Sequence, residues 1–89
     1  MATTNQYLDR VKKRHSLKSD YALSKFLRTS TAAITQYRKK LFVMDDNMAL
    51  KVAEALELNP LEVIAVANSE REKDDEKRER WLNVAKRAA

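Results

Sequence analysis

Residues 19–40 read SDYALSKFLRTSTAAITQYRKK, and the fold turns on how this stretch is divided. Ser19 and Ser30 each stand directly before a helix-forming segment, where a hydroxyl can accept from the first free backbone amides. The stretch therefore splits into two short helices, DYALSKFL and TAAITQYR, separated by little more than Arg28-Thr29. In the first, Leu23, Phe26 and Leu27 are expected to point inward. In the second, at about 100° per residue, Ala33, Ile34, Tyr37 and Leu41 share one arc. Thr31, Ala32, Thr35, Gln36 and Lys39 share the opposite arc. That outer face is unusual. A solvated helix face is normally rich in Glu and Lys, whereas this one is short, mostly uncharged and flat enough for close approach to another surface.

Working outward, Thr3 and Gln6 form a capping-box pattern ahead of QYLDRVKKRH, which predicts a helix over about 4–15. Leu41–Met44 reads as an apolar connection. Asp45 or Asp46 caps a fourth helix, NMALKVAEAL, with Met48, Leu50, Val52, Ala53 and Leu56 as its apolar side. Asn59-Pro60-Leu61-Glu62 opens a fifth, with Asn at the cap, Pro in the first turn and Glu three residues on. Glu70–Arg80 is an unbroken charged run of six acids and five bases, followed by Trp81, Leu82, Val84 and Ala85. No strand pattern and no internal repeat is present. The expected fold is all-α: five helices in residues 1–69 and an additional charged C-terminal helix in residues 70–89.

Charge is unevenly distributed. The net charge is +5, but Arg10–Lys40 holds ten Lys or Arg against one acid, Asp20. Residues 41–66 hold one base, Lys51, against five acids. A basic N-terminal block favours a polyanionic partner. A membrane surface would want Trp, Phe or Leu along a basic helix, and the helix carrying Arg10–Lys13 has only Tyr7, Leu8 and Val11, which read as core. The chain has no Gly, which excludes phosphate-cradling glycine loops. It has no Cys, and its one His, His15, has no companions for a metal site. No nucleophile–base pair is evident, so an enzyme is not expected, nor is a metal or cofactor. No leader or membrane span is expected, and a cytoplasmic location is.

The stretch quoted above, followed by MDDNMALKVAEALELNPLEVI, resembles the Cro/lambda-repressor (XRE-type) class of helix-turn-helix DNA-binding domains across roughly residues 5–66. With the NSEREK…W ending, the chain is similar to small regulators of phages and prophages such as filamentous-phage immunity repressors. The resemblance implies a lambda-repressor-like domain whose second motif helix lies in the major groove of double-stranded DNA. Thr31, Ala32, Thr35 and Gln36 would then face base edges: Gln36 suits adenine, and a Thr or Ala methyl suits the thymine methyl. Ser30, Arg28, Arg38, Lys39 and Lys40 would face phosphates. Lys12, Lys13, Arg14 and Lys18 would contribute general electrostatic attraction. Such proteins commonly bind as two-fold pairs, which favours Trp81, Leu82 and Ala85 at a homodimer interface; the alternative is that the C-terminal helix folds back on its own domain. The implied activity is a repressor on a palindromic operator; the alternative is the antitoxin of a toxin–antitoxin pair, which binds DNA and a protein.

Two positions depart from the class. Where it usually has Gly in the turn, this chain has Arg28, at a cost of about 1–2 kcal/mol in a left-handed conformation. Where it often has Gln opening the first motif helix, this chain has Asp20, which as a carboxylate repels phosphate.

Overall fold

Every helix begins on a side-chain oxygen. The computed structural model describes residues 2–89, and six helices with no strand make up its regular structure among the described residues. They are α1 (Thr4–Arg14), α2 (Asp20–Phe26), α3 (Thr31–Arg38), α4 (Asp46–Leu56), α5 (Pro60–Arg71) and α6 (Asp75–Ala88). Thr3, Ser19, Ser30, Asp45, Asn59 and Asp74 each accept a hydrogen bond from a first-turn amide. Thr3 and Gln6 form the reciprocal capping box, and Asp45 rather than Asp46 caps α4.

Four of the helix ends are equally regular. After α1, α2, α3 and α4 the chain passes through a left-handed residue: Ser16, Arg28, Lys40 and Glu57, with φ of 54°, 55°, 60° and 56°. The next amide in each case, from Leu17, Thr29, Leu41 or Leu58, reaches back to a carbonyl five residues earlier. Glycine normally fills this position. Here four side-chain-bearing residues do, each with a steric penalty that the surrounding packing overcomes. Arg28 is left-handed as expected from its place in the turn.

The core is built on Tyr7, Leu8 and Val11 of α1, Leu23 and Leu27 of the α2 segment, Ile34 of α3, Met44, and the inner faces of α4 and α5. In α5, Glu62, Val63, Ala65, Val66, Ala67 and Ser69 are all buried. At 100° per residue they span an arc of about 200°, too wide for one neighbour. α4 covers part of it and α6 another.

The C-terminal charged run does not form the single helix expected of it. α5 continues through Arg71, so the boundary drawn at 69/70 falls inside a helix. A continuous helix would set Glu72 over Glu76 and Lys73 over Lys77, like charges one turn apart. Instead the chain breaks at 72–74. The Arg78 guanidinium donates twice to the Glu72 carbonyl, at 3.2 and 2.9 Å, and pairs with Asp75 at 2.8 Å. α6 folds back on α5, and Ala85 becomes fully buried within its own chain. Its expected place at a dimer interface is therefore corrected: a methyl packed under its own helix has no surface to share. Leu82 is half-buried, and Trp81 keeps 36% exposure.

Three apolar positions also differ from expectation. Leu41 is 64% exposed, because α3 ends at Arg38 and the helical arc that put Leu41 inward stops there. Phe26 is 42% exposed and stacks on His15, with ring centroids 4.4 Å apart; Leu23 and Leu27 already fill the inner side of α2. Leu50 lies at the surface of α4. No described helix is long and apolar enough to cross a membrane.

Candidate nucleic-acid interface

α3 presents the site. Ser30 accepts from the Ala33 amide at 3.0 Å and starts the helix, and Ile34 anchors it in the core. With Ile34 buried and Ala33 and Tyr37 half-buried beside it, Thr31, Ala32 and Thr35 turn outward, and all three are exposed; Gln36 is half-buried. The Thr35 hydroxyl donates to the Thr31 carbonyl at 3.0 Å. Its proton is therefore engaged, leaving the oxygen as an acceptor and the methyl for apolar contact. The face offers small polar groups, a methyl surface and no acid.

Bases flank it. Arg28 is exposed in the turn before α3; Lys39 and Lys40 are exposed just after it. The left-handed Lys40 ends the helix abruptly, which keeps both lysines beside its C-terminus. Sequence reasoning missed two neighbours. Tyr21 on α2 is 61% exposed, with the Lys25 ammonium 5.3 Å from its ring centroid. A four-residue spacing on one helix, aromatic then base, was the legible signal.

Arg38 stands apart from the other bases. Its Nε and Nη2 grip the two carboxylate oxygens of Asp20, each at 3.1 Å. Nη2 also reaches Asp9 at 2.8 Å, and Nη1 reaches the Asn5 carbonyl at 3.3 Å. The side chain is 24% exposed. Its expected place on a phosphate is corrected accordingly: the guanidinium is spent inside the protein. Lys12 pairs with the same Asp20 at 3.1 Å. Hydrogen bonds from Arg38 hold the Asp20 carboxyl below its ordinary range, against the opposing effect of burial, and Lys12 adds to them. Burial works against the Arg38 charge, but Asp20 and Asp9 outweigh it and push its pKa up. The one acid of the basic block is thereby covered by two cations.

Of the bases assigned a general electrostatic part, Lys12 and Arg14 are likewise engaged. Arg14 pairs with Glu57 at 3.1 Å and donates to the Leu56 carbonyl. Lys13 and Lys18 are exposed. Among the described residues no cluster of His, Cys, Asp or Glu could hold a metal ion. Comparison with protein-family models, curated proteins and solved structures returns no match.

Proposed function

We propose that this protein is a sequence-specific double-stranded DNA-binding regulator, with α2 and α3 forming a helix-turn-helix of the Cro/lambda-repressor kind. The observation that carries the reading is the α3 surface: Thr31, Ala32 and Thr35 exposed beside a half-buried Gln36, with Arg28 before them and Lys39 and Lys40 after. Small hydrogen-bonding and methyl groups suit base edges in the major groove, and bases at the margins suit phosphates. The protein acts in the cytoplasm as a repressor and needs no cofactor. It binds as a homodimer, with Trp81 and Leu82 on α6 at the interface, so that two copies of α3 lie about 34 Å apart, one turn of DNA.

Selection from a random duplex library tests the reading. The expected result is an enriched two-fold-symmetric motif. Gln36→Ala should lose about 1–3 kcal/mol on that motif and relax one base position. Lys39→Ala should weaken selected and random duplexes alike, with the log–log salt slope falling by about 1. A library returned without enrichment would overturn the proposal. The partly exposed Trp81, beside Glu72, Lys77, Arg80 and Val84, also suits a foreign protein, as an antitoxin requires; a monomer on sedimentation would favour that reading.

A further inference from the structure

α3 is weakly held by apolar contact. It fully buries one residue, Ile34, has Tyr37 half-buried against the core, and rests mainly on α2 and α1. Its last residue does far more. A guanidinium carries five N–H donors, and that of Arg38 faces the protein: Nε and Nη2 donate to Asp20, Nη1 donates to the Asn5 carbonyl and, at a long 3.5 Å, to the Asn5 side chain, and Nη2 also forms an ion pair with Asp9. The acceptors lie on α1 and at the first residue of α2. Arg38 therefore joins three helices through one planar, rigid group.

We propose that Arg38 is a positioning residue that fixes the orientation of α3 against α1 and α2, and so sets sequence discrimination without touching DNA. The inference rests on the DNA reading above. Thr31 lies seven residues from Arg38, about 10 Å along the helix axis. A tilt of about 10° pivoting at Arg38 would move Thr31 by about 2 Å, beyond the tolerance of a hydrogen bond to a base edge. Phosphate attraction from Arg28, Lys39 and Lys40 would survive such a tilt, because charge interaction falls off slowly with distance. The clamp thus governs the specific part of binding and leaves the non-specific part alone. Lysine cannot replace it: a single ammonium lacks the planar fork that grips Asp20 at two points.

The test compares Arg38→Gln, Arg38→Lys, Asp20→Asn and the Arg38→Gln/Asp20→Asn double variant on the selected motif and on random duplex. The double variant keeps the net charge, so bulk electrostatics cannot account for its behaviour. Each variant should lose about tenfold in the ratio of specific to random affinity, the equivalent of one displaced base contact. The double variant should lose no more than the worse single one, because both break the same network. Its random-duplex affinity should stay within about twofold of the parent. Amide hydrogen exchange of the free protein should quicken in α3 and not in α4. An intact ratio with a salt slope lowered by about 1 would place Arg38 on a phosphate and overturn the proposal. Equal loss of protection in α3 and α4 would overturn it as well, reducing Arg38 to a general stabiliser. If the parent protein discriminates no sequence, the DNA reading fails by itself, and the exchange comparison still decides whether the clamp exists.

Discussion

α3 and α5 are both tied to α1 by a polar contact, and the two ties have opposite settings. Tyr7 on α1 donates to Glu62 on α5 at 2.6 Å, with both side chains buried. Around that bond α5 buries residues over most of its circumference. Arg38 on α3 reaches Asp9 and Asn5 on α1 at the rim of the molecule, beside a helix that fully buries Ile34 alone. In α5 the polar tie sits within a large apolar contact. In α3 it supplements a smaller one, made by Ile34 and the half-buried Tyr37. A helix with so little apolar surface buried depends more on hydrogen bonds for its placement, and these are directional and fix orientation.

The contrast can be broken or sharpened by substitution. Ile34→Ala removes the one fully buried side chain of α3, beside the half-buried Tyr37, and should cost about 2–5 kcal/mol in unfolding free energy, read by urea denaturation. A loss under about 1 kcal/mol would mean that Tyr37 and the Arg38 network hold α3 without Ile34. Tyr7→Phe leaves Glu62 buried without its donor and should cost about 1–3 kcal/mol. Burial, then the Glu62 carboxylate, push the Tyr7 phenol well above its ordinary value. The folded state therefore keeps this proton where the unfolded chain releases it, and stability should fall as pH rises past about 10. Tyr7→Phe should flatten that alkaline decline, and an unchanged decline would show that another group causes it.

A gain is expected in the turn. Arg28→Gly relieves a left-handed backbone and should stabilise by up to about 1 kcal/mol, offset in part by the freer unfolded chain. On the DNA reading proposed above, it should also weaken duplex binding through the lost charge. The smallest effect belongs to the rim clamp in acid. The carboxyl of Asp20 is held low by Arg38 and Lys12, with Asp9 the other acid on the same guanidinium. A lowered folded pKa contributes stability that is present above the ordinary Asp value of about 3.9 and is lost as pH falls through the folded one. Asp20→Asn should therefore reduce the slope of stability against pH below about 4 and leave the slope near neutrality unchanged. A variant with the parent's acid slope would place the dependence elsewhere.

Helix starts were legible because capping is local. Thr3, Ser19, Ser30, Asp45 and Asn59 each bond an amide two or three residues ahead, and such pairs are visible in the chain itself. So was the outward turn of Thr31, Ala32 and Thr35, which follows from Ile34 and a helical period. Asp74 escaped notice because charges surround it and hide its capping role.

What the sequence by itself determined is the helical class, the five N-terminal helix starts, the basic block and the two sides of α3, all consequences of spacings shorter than two turns. Only the tertiary structure decided where the long side chains went. Arg38 meets Asp20 across 18 residues and Asn5 across 33, and Thr4 meets Glu70 across 66. The same step placed Ala85 in its own core and left Leu41 and Phe26 at the surface. A guanidinium suits a phosphate and a carboxylate equally well, and an apolar side chain is buried only if a neighbouring helix arrives to cover it. Which partner each one meets depends on how helices far apart in the chain pack together.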